Sequence, residues 1–394
     1  MKNTLIGFKF ALFTFIFLFS FFESKTIAAA SISVLSLEKL KSEHPNLIHY
    51  TKVHDPMKLS FKRFPIASTE ESTYAKPLIP ETFILEIKNG SIFSDQGYTI
   101  IDGKYMISEL IWPWSPLKKN EPPFQVLPQS TKFPGTILVL AQEGHDNYYH
   151  WVTEILPKLA LLKNLHYDWI YLPRLTSNFQ LKTIQLLNID KSKIIQAEKF
   201  THIQADSLIV PSHVSRSCYS PDWVCKFLRN QYFPFAIHNI TQEKFSNKVF
   251  ISRQKASQRR IINEDELFDT FKTLGFQRYN LEDLDFIEQI QLFSQAKIVV
   301  AAHGAGLTNI IFCKPNTQII ELFQEREDDT FCYLSQTMKL NYTCLKTTAF
   351  KEGLGNSDTV VSIPLVKQFI KNHPEKFKKY STLSYRNFLN FFWN

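Results

Sequence analysis

Hydrophobic and polar positions are most sharply ordered between Lys297 and Phe323. An apolar run, Ile298 to Ala302, meets a polar turn, His303-Gly304-Ala305-Gly306. An apolar helix-like segment from Leu307 to Phe312 follows, then a β-branched run, Thr317 to Ile320, ending in Glu321-Leu322. That order predicts strand, loop, helix, strand, with a buried parallel strand in front. The same rhythm opens at Pro134-Gly135. Thr136 to Leu140 reads as a strand and Glu143 to Asp146 as a loop, with Asn147 capping a helix. In that helix Trp151, Ile155, Leu159 and Leu162 recur at helical spacing, and Pro157 kinks it. Strands at 169–172, 194–195 and 207–211 and helices at 178–187 and 223–232 continue an α/β half to Asn239. The polar stretch 240–247 reads as a linker. Beyond it come a strand at 248–252, a helix at 264–274 capped by Asn263, and, after the central stretch, helices at 328–340, 365–372 and 384–393 with strands at 342–345 and 360–363. Residues 31–133 carry short alternating runs among prolines and aromatics, a β-rich lead-in.

Residues 1–30 differ in kind. Lys2 and Lys9 precede an almost wholly apolar run, Phe10 to Phe22, and Ala28-Ala29-Ala30 offers a cleavage site. A core this short suits a signal peptide. Counted from residue 5 to 22, it also suits a signal anchor, so the expectation is export or membrane anchoring, with association at the cytoplasmic face compatible too. The length of 394 residues suggests two domains, 31–239 and 240–394. The net charge of +8 is mild, and no arginine-rich run is interleaved with aromatics, which argues against nucleic acid as a partner. The cysteines, Cys218, Cys225, Cys313, Cys332 and Cys344, form no CxxC pair, so zinc is not expected. Cys218 and Cys225 can bridge in an oxidising compartment or stand as buried thiols.

Chemistry concentrates at three places. Gly304 and Gly306 lack a Cβ, so their loop can bend sharply and admit a ligand to the backbone, and the helix behind them favours an anion. His303 can donate to that ligand, and Glu321 can accept from a pair of sugar hydroxyls. Asn309 stands where the third glycine of a dinucleotide fingerprint falls, which argues against a nicotinamide cofactor. His150 and Glu154, four apart, share a helix face and make a competent general base, with Asp146 nearby as a substitute. Arg253 at a strand end, with Arg259 and Arg260 in the next loop, makes a cationic mouth suited to phosphates. Asp283-Leu284-Asp285 reads as a helix N-terminus rather than a metal motif.

Asn147-Tyr148-Tyr149-His150-Trp151, Arg253, Arg259-Arg260 with Asn263-Glu264, and His303-Gly304-Ala305-Gly306-Leu307 with Glu321 resemble glycosyltransferase family 61. That family spans bacterial polysaccharide-biosynthesis proteins, plant xylan pentosyltransferases and EGF-domain O-linked N-acetylglucosamine transferases. The resemblance covers roughly 134–322. It implies a GT-B-like fold, two Rossmann-like domains facing a cleft. It implies an inverting transferase moving a sugar from a nucleotide-sugar, a UDP-sugar first among them, to a glycan or protein hydroxyl. No cofactor and no metal is implied. His150, Glu154 and Asp146 would be catalytic. Arg253, Arg259, Arg260, His303, Gly304, Ala305, Gly306, Leu307 and Glu321 would hold the donor, and Asn147, Tyr148, Tyr149 and Trp151 would lie on the acceptor side. The doubled tyrosine leaves open which of the two matches the family position. A nucleotide-sugar epimerase and a non-catalytic binding protein of the same fold are the competing readings.

Overall fold

The computed structural model describes residues 32–62, 77–112, 127–216, 218–237, 244–323, 328–346 and 357–377, with isolated positions at 74–75, 122, 124 and 348–349. The leader at 1–30 and the helix expected at 384–393 lie outside the described residues. Among the described residues, no helix is long and apolar enough to cross a membrane.

Two sheets organise the chain. The first holds β1 (His49–His54), β2 (Thr82–Lys88), β3 (Ser91–Phe93), β4 (Tyr98–Ile100), β5 (Thr131–Val139), β6 (Trp169–Pro173), β7 (Ile194–Ala197) and β8 (His202–Pro211). Its order is β7-β6-β5-β8-β2-β1, with β3 on β8 and β4 on β3. The four strands β7, β6, β5 and β8 run parallel, and β2 and β1 extend them antiparallel. The lead-in therefore joins the first sheet as antiparallel strands.

The second sheet holds β9 (Lys248–Ile251), β10 (Gln277–Tyr279), β11 (Ile298–Ala302), β12 (Gln318–Phe323) and β13 (Asn341–Lys346). It is parallel throughout, in the order β10-β9-β11-β12-β13. Every residue of β11 and β12 is buried, as expected of parallel strands covered on both faces. The longer helices are α1 (Asn178–Leu186), α2 (Asp222–Ile237), α3 (Glu264–Lys272), α4 (Phe286–Gln295), α5 (Thr330–Thr337) and α6 (Ile363–Asn372). One hydrophobic core joins the sheets, since Leu138 and Leu172 of the first belong to the same cluster as Val249 and Ile319 of the second.

Several local expectations change. The segment after Asn147 is a composite. An α turn at Tyr148–His150 passes into a π turn at Trp151–Ile155 and a 3₁₀ stretch at Leu156–Leu161 that contains Pro157. The helix after Gly304 is likewise 3₁₀, over Ala305–Phe312. The side chain of Asn263 does not cap α3. It exchanges hydrogen bonds with the backbone of Val361 instead. All five cysteines are free, so Cys218 and Cys225 are not bridged. Asp285 does cap α4, in a reciprocal box with Glu288.

Candidate active site

In open parallel sheets a ligand sits outside the carboxyl ends of the strands, where the strand order reverses. In the second sheet that point falls between β9 and β11. A crevice of about 840 Å³ opens there. The ends of β9 and β11 line it with Ser252, Arg253, Ala302 and Gly304 to Leu307. The first sheet faces it with Tyr148 and the start of α1.

The two glycines are there for contact rather than for a turn. Neither has a left-handed backbone, and Gly304 is extended. A Cβ on Gly304 would stand 2.5 Å from the Arg253 guanidinium, and one on Gly306 would stand 2.8 Å from Leu281. Arg253 thus lies flat across the loop. Its Nε donates to the Arg259 carbonyl at 3.3 Å and one terminal nitrogen to the Gln258 carbonyl at 2.5 Å. Burial lowers its pKa, and the charges of Glu282, Glu264 and Asp358 oppose that. An arginine stays charged under such a shift. Beside it, the 3₁₀ helix begins with no side-chain cap, so its leading N–H groups face the crevice unclaimed by a capping side chain.

The arginines divide. Arg259 contributes its carbonyl, on a left-handed backbone of φ 57°. Arg260 is turned away and held by Asp358, with Nε and a terminal nitrogen at 3.1 and 2.7 Å from one carboxylate oxygen. Only Arg253 of the three lines the crevice.

His303 and Glu321 are placed otherwise than the sequence suggested. Both are buried, at 6% and 1% exposure, and neither lines the crevice. His303 Nδ1 lies 2.5 Å from Glu321, and its Nε2 lies 3.3 Å from Asp328. Tyr342 donates to the other Glu321 oxygen at 2.5 Å. Burial disfavours a charged ring, but the carboxylates of Glu321 and Asp328 outweigh it and hold the His303 pKa above the ordinary imidazole value. Both Glu321 oxygens are engaged, one by His303 and the other by Tyr342, and the side chain is buried away from the crevice. The triad is a support beneath the loop.

The doubled tyrosine separates cleanly. Tyr148 lines the crevice, and its hydroxyl donates to Asn309 at 2.6 Å, tying the first sheet to the second. Tyr149 is buried, its hydroxyl 3.5 Å from Ser220. Trp151, expected on the acceptor side, is fully buried and donates to Thr183 at 2.9 Å. It is a core residue, because the π turn points it inward. Asn147 caps the turn by accepting from the Tyr149 amide at 2.9 Å.

His150 and Glu154 do pair, Nδ1 to carboxylate at 2.9 Å. Glu154 also accepts from Trp112 at 3.1 Å and Gln142 at 3.2 Å, and the Trp112 ring stands edge-on to His150. Lys158 is buried one turn on, and burial drives its pKa down to about 8 against the pull of Glu154. The dyad does not line the crevice. It borders the loop Glu143 to Asp146, of which Gly144 packs on His150 and Asp146 is exposed. The carbonyl of His145 accepts from Gln180 at the head of α1, so the loop and the crevice wall are joined.

The sequence reading missed Arg229 and Lys182, and the bridging roles of Asn309 and Asp285. Asn309 interrupts an apolar helix, the one signal available for its bridging role. Arg229, an isolated cation within α2, donates to the carbonyls of Ile311 and Cys313 and so closes the far end of the 3₁₀ helix. Lys182 and Asp285 pair at 3.6 Å across the crevice mouth, a contact between the first sheet's helix and the second's that spacing cannot reveal.

Comparison with known proteins follows this geometry. Residues 148–320, which hold Tyr148, Arg253 and the Gly304 to Gly306 loop, match the family model described as Glycosyltransferase 61. Over these residues the chain is similar to glycosyltransferase family 61. Among curated relatives, the EGF domain-specific O-linked N-acetylglucosamine transferase of Mus musculus is 26% identical over 136 residues, 32% of this chain and 26% of that protein. The Canis lupus familiaris protein of the same name is 31% identical over 104 residues, 24% of this chain and 19% of that protein. A beta-1,2-xylosyltransferase of Arabidopsis thaliana is 33% identical over 78 residues, 16% of this chain and 15% of that protein. The chain thus spans about a quarter or less of the length of these curated relatives. The family-model match ends within β12, so it takes in the strand ends that frame the crevice.

Proposed function

We propose that the protein is a glycosyltransferase that binds a nucleotide-sugar in the crevice between the two sheets and passes the sugar to a hydroxyl of a glycan or protein. The carrying observation is Arg253 lying over Gly304 at the reversal point of a parallel sheet, within the family 61 match. A diphosphate there would meet the guanidinium and the leading N–H groups of the 3₁₀ helix, two sources of positive potential aimed where charge builds on the leaving group. The two parallel-cored sheets facing across the crevice favour a GT-B-like arrangement of two Rossmann-like domains, divided between residues 239 and 240.

In this reading the reaction inverts the anomeric carbon. The acceptor oxygen forms its bond to that carbon as the carbon–oxygen bond to the diphosphate breaks, and a base takes the acceptor's proton. His150, oriented by Glu154, is the base we favour, with the acceptor approaching along the Glu143 to Asp146 loop; Asp146, exposed on that loop, is the substitute. A carboxylate on Nδ1 leaves Nε2 to accept a proton and steadies the imidazolium that results. The activities for which the relatives are named make N-acetylglucosamine and xylose the sugars to try first.

The test is calorimetric titration of the full chain with UDP, GDP, CDP and ADP, each with and without Mn²⁺. Saturable binding of one nucleoside diphosphate is the expected result and identifies the donor class for an acceptor screen. Heats no larger than buffer for all of them would overturn the reading.

A further inference from the structure

The crevice has a third wall. Directly after β10 the chain runs Leu281-Glu282-Asp283-Leu284-Asp285, and all five residues line the crevice. Two of its acids are committed. Asp283 is paired with Lys255, and Asp285 with Lys182 and with the amide of Glu288 that it caps. Glu282 is exposed, and among the described residues its carboxylate has neither a hydrogen-bond nor an ion-pair partner. Its charge does reach Arg253.

The strand order says what such a carboxylate meets. The loop of Gly304 to Leu307 leaves β11, Arg253 leaves β9, and Glu282 follows β10; these three strands are consecutive neighbours. Leu281, the residue before Glu282, packs against Gly306 of that loop, and the charge of Glu282 reaches Arg253, so the carboxylate stands beside the groups that would hold the phosphates. A nucleoside diphosphate laid across these strand ends, its terminal phosphate at β11 and its inner phosphate at Arg253, would bring its ribose to the β10 side. A carboxylate accepts from both hydroxyls of a ribose diol, and a site built to bond a hydroxyl rejects the analogue that lacks it.

We propose that Glu282, rather than Glu321, binds the ribose diol of the donor and makes the crevice selective for ribonucleotides. This rests on the nucleotide-sugar reading above. The Leu281 and Leu284 side chains flanking Glu282, with Phe179 across the crevice, give the attached base apolar surfaces to lie against.

The experiment is titration of the full chain, and of its Glu282→Ala and Glu282→Gln variants, with the diphosphate that wild type binds and with its 2′-deoxy form. Wild type is expected to favour the ribonucleotide by tenfold or more. In Glu282→Ala that preference should collapse to about twofold, ribonucleotide affinity falling well below its wild-type value and deoxyribonucleotide affinity, which loses only the 3′-hydroxyl contact, falling less; Glu282→Gln should lie between. An unchanged preference in Glu282→Ala, or none in wild type, overturns the proposal while the donor crevice stands. Wild type that binds no diphosphate overturns both. The residue is exposed, so the variants test recognition rather than folding.

Discussion

At the scale of single residues, the site turns on a contact between a side chain and a missing one. Gly304 leaves room for the Arg253 guanidinium, and an added methyl would stand 2.5 Å from it. Gly304→Ala is therefore expected to lower nucleotide diphosphate affinity by about tenfold, as removal of one charge-assisted contact would, and Arg253→Ala should do the same. Combining the two should cost little more than either alone, because both remove one interaction. Calorimetry on the three variants checks this; additive losses would mean that the glycine and the arginine act separately. The sequence showed that an arginine and a glycine loop were present, but not that one covers the other. Glu321 is placed otherwise than expected for a related reason. A carboxylate near a strand end looks like a ligand group, yet β12 is covered on both faces, and among the described residues its carboxylate is hydrogen-bonded to His303 and Tyr342.

At the scale of elements, strand–helix alternation was legible because buried parallel strands read as unbroken β-branched runs. β11 was placed to the residue for this reason. β10 was missed, since Gln277-Arg278-Tyr279 is a three-residue edge strand of polar composition and carries no apolar period. Its absence hid the wall that follows it. The helix after Asn147 was half right. Helical spacing foresaw Trp151, Ile155 and the kink at Pro157, but a π turn widens the spiral there and re-aims each side chain. Trp151 consequently packs against Thr183 in the core. Trp151→Phe should destabilise the protein by about 1–3 kcal/mol, from a lost hydrogen bond and lost volume. It should leave the acceptor KM unchanged. Thermal denaturation with acceptor kinetics decides, and a raised KM at unaltered stability would return Trp151 to the acceptor side.

At the scale of the whole molecule, the sheets share a core and the His303 triad lies beneath the loop that joins them to the crevice. Because Glu321 and Asp328 hold the His303 pKa above its unfolded value, the triad's contribution is fully present below about pH 6.5, the ordinary imidazole value. It is lost as pH rises through the folded value. Wild type should then lose stability as pH rises above about 6.5, where a His303→Gln variant, less stable throughout by about 3–5 kcal/mol for its stranded carboxylates, shows a flatter profile. Chemical denaturation from pH 6 to 10 checks the sign; parallel profiles would mean that His303 is neutral in the fold.

The Lys182–Asp285 pair gives the crevice mouth a further property. It is half open to solvent and joins α1 of one sheet to the cap of α4 in the other. Dissolved ions screen such a pair and, in the same stroke, screen the pull of Arg253 on an arriving anion. Salt therefore loosens the latch while it weakens the bait.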